Sequence, residues 1–460
     1  LIGDASYYHD YAWKVATGTI SQEVLQYHLS PVYLAFLSFF YSLFGHHALI
    51  PRFVQMLLGS LSCVLLYQTG KTIWDEKTGL LAGFLAAFYG IFIFYDSQIL
   101  KPSLVNFLVA VTFYALTLTL KKTKILLWVL AAFAFTTAIF LRRHLAVFVP
   151  AVFVWIFMAF YPKKKSDCFF YMAVFCLVSL LTAGLWNLWL RKHIPNQQLL
   201  MTQSGIHFYI AHNPDANGTY NLISFIRPSA LGHAVDAQRF VEAEKKRKVS
   251  AEEVNQYWFQ KGIDYILKNP GDWLVLELKK LFLIFNAYEI PNDENYDYTR
   301  KQSWFLSLPF FSFGLIAPLG LAGLWLGLRK SEAVFSLLAL FVAAYVLSLL
   351  SNFVTGAYRL PVQLPLILSA AYALVQIPAI WESMKWKEYK GMGIVLLVLF
   401  LFCNYQTYLS KCQYESYMND RIQSVQSRTK YALPPPEPQA FRQDFSKLRP
   451  LKIEDIKWGP

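Results

Sequence analysis

Hydrophobic positions in this chain come in long blocks separated by short polar breaks. A helix needs about 20 apolar residues to cross the hydrocarbon core of a bilayer. On that scale the pattern predicts ten spans, at 50–69, 79–95, 102–120, 125–141, 145–161, 168–190, 304–328, 332–354, 360–380 and 391–405. The stretch SPVYLAFLSFFYSLFG (30–45) is apolar but short and aromatic, which suits a helix lying in the membrane interface. One long hydrophilic segment, 191–303, interrupts the blocks. Within it Ser250-Ala-Glu-Glu253 has the form of a capping box opening a helix through Ile266, and Asn269-Pro-Gly ends that helix. Asp272 is placed to cap a second, amphipathic helix through Phe285 that lies on the membrane surface. After 406 the chain is polar, and ALPPPEPQ reads as an extended linker. The expected division is therefore 1–190 (first outer loop and spans), 191–303 (outward hydrophilic segment), 304–405 (C-terminal spans) and 406–460 (polar tail).

Composition agrees. Of 460 residues, 56% are hydrophobic, 17% aromatic and only 15% charged, the balance of an all-α polytopic membrane protein surrounded by lipid. A net charge of +13 would suit nucleic acid, but Lys and Arg fall in short clusters between apolar blocks, and nucleic acid is excluded as a partner. Those clusters give an orientation. Lys71, Lys77, Lys121, Lys122, Lys124, Lys163, Lys164, Lys165, Arg329, Lys330, Lys385, Lys387 and Lys390 share one set of short loops, whereas the opposite set holds only Lys101, Arg142, Arg143 and Arg359. The first set is cytoplasmic by the positive-inside rule. Both ends of the chain then face outward, and the opening LIGDASYY, without an initiator Met, leads to the expectation of one further span upstream of Leu1. The cysteines (Cys63, Cys168, Cys176, Cys403, Cys412) form no C-x-x-C pair and suggest neither a metal site nor a disulfide framework, although Cys403 and Cys412 are spaced to meet.

Ionisable groups inside a span are costly and mark transport pathways. None lies near the centre of these spans, which argues against a transporter with a midplane site. The charges that break the loop rule sit instead at outer ends: Asp96 and Lys101 in FYDSQILKPS, Arg142 and Arg143 in FLRRHLAVF, and Arg359 in TGAYRLPVQ. Asp4 and Asp10 precede the interfacial segment on the same side. Carboxylates and cations at one membrane depth suit a lipid-linked phosphate held by charge-assisted hydrogen bonds, with a carboxylate taking a proton from an attacking hydroxyl. Each residue also has a plainer reading. Asp4 can be a solvated loop charge, Asp96 with Lys101 a local ion pair, Arg142 and Arg143 can snorkel to headgroups, and Arg359 can anchor a headgroup on a turn. His46-His47 lacks a carboxylate or Cys at ligand spacing and reads as interface polarity, so no metal is expected. Asn217-Gly-Thr219 is a sequon and, more simply, a turn.

In order, GDASYYHDYAWKVATG, SPVYLAFLSFFYSLFG, LLAGFLAAFYGIFIFYDSQILKPSL, FLRRHLAVFVP, GIHFYIAHNPDANGTY and GAYRLPVQLPLILSAAYAL resemble the polytopic GT-C glycosyltransferases of the dolichyl-phosphate-mannose protein mannosyltransferase type, a superfamily that includes the aminoarabinose transferases acting on lipid A. The resemblance implies a GT-C-like helical bundle in the bacterial inner membrane, a site facing the periplasm or exterior, a polyprenyl-phosphate sugar as donor, inversion at the anomeric carbon, and no cofactor or metal. It implies that Asp4 is the general base, Asp96 its orienting partner, Lys101 and Arg359 ligands of the lipid phosphate, and Arg142 or Arg143 secondary anchors. Two departures stand out: Ala357-Tyr358 where relatives often carry Arg, and Ala211-His212-Asn213-Pro214 where they often read Gly-Asn-Asn-Pro. The acceptor, whether protein, lipid or glycan, is not indicated. The rival readings are a lipid-linked sugar flippase, which would need polar residues along a path through the bilayer, and a non-catalytic envelope assembly protein, which would need no carboxylate.

Overall fold

The computed structural model describes residues 4–19, 30–122, 124–193, 204–221, 223, 225–226, 230–292, 294–308, 310–382 and 386–405. Among the described residues the chain is α-helical, and its only β-type pairing is a single parallel bridge between Tyr89 and Phe311. The helices are α1 (Asp4–Thr17), α2 (Pro31–Phe44), α3 (Leu49–Ile73), α4 (Glu76–Ala87), α5 (Gly90–Asp96), α6 (Pro102–Thr119), α7 (Ile125–Leu141), a 3-10 turn η1 (Arg143–Val147), α8 (Phe148–Phe160) and α9 (Lys165–His193). They continue as α10 (Ser204–Ala211), α11 (Ala230–Lys245), α12 (Ala251–Lys268), α13 (Pro270–Phe285), α14 (Tyr296–Gln302), α15 (Phe313–Arg329), α16 (Ala333–Leu350), α17 (Gly356–Glu382) and α18 (Trp386–Asn404).

Among the described residues six helical segments are long and apolar enough to cross a membrane, and α2, α7, α15 and the second half of α18 are shorter apolar helices. The outward faces agree with lipid contact. Leu57, Leu61 and Val64 on α3 and Leu177, Leu181 and Leu188 on α9 are exposed, and exposed apolar surface on this scale has no place in water. The protein is thus an all-α, multi-pass integral membrane protein.

Two expected spans differ in detail. The block 79–95 breaks into α4 and α5 at Phe88-Tyr89-Gly90, and the backbone N–H of Phe311 donates to the Phe88 carbonyl at 2.9 Å there. The block 304–328 becomes helical only at Phe313, because the residues before it turn to make that contact. In the hydrophilic segment the capping box is present, with Glu253 N–H donating to Ser250 Oγ at 3.2 Å and Ser250 N–H to the Glu253 carboxylate at 3.2 Å. The next helix opens with Asn269 as N-cap and Pro270 in the first turn, so Asp272 lies inside α13 and is not its cap. The Asn217 side chain accepts from Thr219 N and Oγ1 at 2.9 and 2.8 Å, the turn expected of that sequon. Cys403 is buried with a free thiol, and Cys412 lies outside the described residues.

The core is continuous through the bundle and is centred on α6, α15, α16 and α17. Close helix approach comes from small residues, as bilayer packing requires. A Cβ on Gly323 of α15 would fall 1.9 Å from the Ser369 carbonyl oxygen of α17. The hydrophilic segment has its own core around Ile206, Ile210, Val241, Val254 and Trp258. It is fastened to the bundle by a buried polar triad. Lys280 of α13 donates to Glu277 at 2.8 Å and to the Leu350 carbonyl at 2.9 Å, and lies 2.9 Å from His212 Nε2, itself 3.1 Å from Glu277.

Candidate active site

The ends of the spans opposite the lysine-rich turns carry the candidate residues, and α1 covers them. Its buried face is Ala5, Tyr8 and Ala12. Tyr8 is held edge-on against Tyr33 at 4.8 Å, and its hydroxyl accepts from Ser30 N–H at 3.4 Å. Lys101 Nζ lies 5.7 Å from the centre of the Tyr8 ring, and Arg143 is within electrostatic reach of the Tyr8 hydroxyl. Asp4 stands one helical turn before Tyr8 on the same face of α1, where i and i+4 side chains are neighbours. Lys101 and Arg143 thus meet at one tyrosine, and Asp4 lies one helical turn from it along α1. Arg143 is exposed, whereas Asp4 and Lys101 are half-buried.

The turn that carries Lys101 is built by α3. Gln55 is fully buried. Its amide donates to the carbonyls of Gln98 at 2.7 Å and Leu100 at 3.3 Å, and its oxygen accepts from Tyr33 Oη at 2.9 Å. Ser103 donates to the Gln55 carbonyl at 3.0 Å and also reaches the Asp96 carboxylate. Asp96 packs against α3 so closely that a Cβ on Gly59 would fall 1.8 Å from its Oδ2. Asp96 thus braces the turn from below.

Arg142 and Arg143 part company. Arg142 is buried, donates to the Ala357 carbonyl at 2.6 Å and lies 5.0 Å from the Tyr358 ring centre. It ties η1 to the start of α17. Arg359 is apart from the cluster around Tyr8. It is completely buried over the Phe313 ring (4.5 Å), its guanidinium donates to the carbonyls of Asn286 and Tyr288 (2.7 Å for Tyr288) with longer contacts to Leu283 and Ile284, and it pairs with Glu289 at 2.9 Å. Those partners enclose the group expected to meet a phosphate.

Several residues join the site that sequence spacing does not reveal. His207 of α10 lies edge-on to His233 of α11 at 5.3 Å and to Phe353 at 5.9 Å, and His233 Nε2 is 2.7 Å from Tyr220 Oη. Burial pushes His207 down to about 3, helped by the nearby charges of His233, Arg143 and Lys101. It is neutral at physiological pH beside two cations. Burial raises the half-buried carboxyl of Glu294 above its ordinary range, and the Arg52 charge offsets only part of that rise. His9, Asp10 and His46 gather where α1 meets the turn after α2, with a ligand atom from each lying within 4.8 Å of the others.

Cations with one nearby carboxylate, roofed by aromatic rings at the end of a helical bundle, can hold an anionic headgroup while a base works beside it. Residues 28–186, from the interfacial helix into α9, match the family model described as dolichyl-phosphate-mannose-protein mannosyltransferase, which bears out the resemblance seen in the sequence. No curated protein matches the chain. Among solved structures, the oligosaccharyltransferase AglB of Archaeoglobus fulgidus in complex with an inhibitory peptide and a dolichol-phosphate is similar at 14% identity with a TM-score of 0.43, covering 90% of this chain and 52% of that one. A second structure of the Archaeoglobus fulgidus oligosaccharyltransferase, tethered to an acceptor peptide containing the NVT sequon, gives 14% identity and a TM-score of 0.45 over 89% and 51% of the two chains. The chain spans about half the length of those structures.

Proposed function

We propose that the protein is a membrane glycosyltransferase that moves a sugar from a polyprenyl-phosphate donor to an acceptor hydroxyl, with inversion, in the bacterial inner membrane at the periplasmic face. The observation that carries this reading is the meeting of Lys101 and Arg143 at Tyr8, one turn from Asp4. The donor's prenyl chain would lie along the lipid-facing helices and its phosphate against Lys101 and Arg143. As the acceptor oxygen attacks the anomeric carbon, the bond from that carbon to the phosphate oxygen breaks and Asp4 takes the hydroxyl proton. The phosphate leaves as an anion whose growing charge the two cations stabilise. The activated donor supplies the leaving group, so the reaction calls for no further cofactor. Asp96 acts through the turn that positions Lys101, and Arg142 and Arg359 act through the backbone they hold.

The test uses purified protein in lipid, a radiolabelled polyprenyl-phosphate sugar and a membrane extract as acceptor. Asp4→Asn should lower transfer by roughly 100-fold to 10,000-fold, the range of a general base, with the donor still bound. Unchanged turnover would remove Asp4 from the role. A wild-type protein that binds donor and transfers nothing would favour a flippase or an assembly protein.

A further inference from the structure

Outside the cluster around Tyr8, the rim of α1 makes a second constellation. His9 and Asp10 face the turn between α2 and α3, and His46 reaches back to them from 37 residues beyond His9, with Nε2 3.4 Å from the His9 carbonyl oxygen. The sequence shows His46-His47 without a carboxylate partner; the fold supplies Asp10 and a second imidazole. His9 has a further property of metal-binding histidines. Its Nδ1 is 2.6 Å from Tyr41 Oη, and a ring whose Nδ1–H donates to that hydroxyl presents a bare Nε2 lone pair held in a fixed direction.

The geometry points to a divalent cation site formed by His9, Asp10 and His46. Two imidazoles and one carboxylate without a thiolate suit zinc, with water completing a tetrahedron, ahead of the hard cations magnesium and calcium, which take oxygen ligands. Coordination asks for one rearrangement. His46 stacks on His9 with centroids 3.9 Å apart and planes at 14°, and its ring also lies 5.1 Å from that of Trp13 at 17°. A metal binds the in-plane lone pair, so two face-to-face rings cannot share it and His46 must swing off the stack. It is exposed and follows Gly45, whose φ of 79° places it on a turn, so the swing costs its ring contacts with His9, Trp13 and Tyr41 and its 3.4 Å contact with the His9 carbonyl oxygen, and no buried packing. Arg52 opposes the ion through its charge near His9, and the Asp10 carboxylate offsets it. A bound ion clamps α1, the helix of Asp4 and Tyr8, to the α2–α3 turn. The inference is independent of the transferase reading.

The experiment takes the full chain in detergent, stripped with a chelator, and titrates it with zinc by calorimetry and with cobalt(II) by visible absorption. One zinc per chain and the intense visible bands of tetrahedral cobalt are expected. Asp10→Asn and His46→Ala should each weaken binding at least tenfold, and Tyr41→Phe by about 10-fold to 100-fold through loss of the outer hydrogen bond. The zinc-free variants should melt with the zinc-free wild type, which separates lost ligation from lost folding. Absence of stoichiometric zinc at micromolar concentration overturns the assignment, as does binding that survives both ligand substitutions.

Discussion

Replacing Arg359 should injure the fold before it injures donor binding. Its guanidinium donates to the carbonyls of Asn286 and Tyr288 and pairs with Glu289, all within the buried junction between α13 and α17. Arg359→Met removes these charge-assisted bonds, each worth about 1.5–3 kcal/mol, and leaves Glu289 buried without its cation. Relaxation returns part of that loss, and breaking a buried pair from one side typically costs about 3–5 kcal/mol. With an unfolding entropy of about 2.1 cal/mol/K per residue, a chain of 460 residues loses roughly 1 °C of Tm per kcal/mol, so a fall of about 3–5 °C is expected. Thermal unfolding in detergent, followed by intrinsic fluorescence, measures it. The double variant Arg359→Met with Glu289→Leu should recover at least half of the loss, because it replaces the pair by apolar groups and strands no charge. An unchanged Tm for Arg359→Met, together with weaker binding of a polyprenyl phosphate, would refute this reasoning and restore Arg359 as a phosphate ligand.

Lys101→Gln and Arg143→Gln should each raise the KM for a polyprenyl-phosphate sugar by about 10-fold to 100-fold, the loss of one charge-assisted bond, with Tm within a degree or two of wild type; steady-state kinetics at varied donor checks it. His207 gives a pH signature. Its folded pKa of about 3 lies below the ordinary 6.5, so the unfolded chain binds the extra proton and stability falls as pH drops from 6.5 toward 3. His207→Gln should flatten the stability profile by about 1–2 kcal/mol at pH 5, and an identical slope in both proteins would contradict the buried neutral imidazole. Gly323→Val should prevent a folded detergent-stable species, since even a Cβ there meets the Ser369 carbonyl oxygen at 1.9 Å, and size-exclusion profiles will show it.

How far the sequence could be read depended on what each signal excludes. Long apolar runs have one solution in a bilayer, so the helices fall near the predicted spans. The break at Tyr89-Gly90 is not visible there, because the partner that satisfies the freed carbonyl, Phe311, lies more than 200 residues away. The capping box at Ser250 was legible because it is local, whereas Asp272 lost its expected place to Asn269-Pro270, a competing local start three residues earlier. Charges at the ends of the spans singled out Asp4, Lys101 and Arg143, of which Lys101 and Arg143 approach one ring, Tyr8. The same signal also pointed to Arg359, where the cost of an isolated cation is met by backbone carbonyls and Glu289. His207 and His233 escaped notice because an imidazole among aromatics has the pattern of ordinary core. His9 and Asp10 meet His46 only through tertiary packing.

The rung between Phe88 and Phe311 also bears on how the protein is made. Translation proceeds from the N-terminus, so α4 and α5 enter the bilayer long before Phe311 leaves the ribosome. Until then the Phe88 carbonyl has no backbone partner at the break. An unpaired carbonyl in hydrocarbon is costly, so the early half of the bundle must wait with that kink hydrated, shielded by an insertase, or temporarily straightened into one helix. The second half of the chain therefore acts as a late keystone. A ribosome stalled before residue 311 should leave an inserted but protease-sensitive intermediate, and release past it should close the bundle.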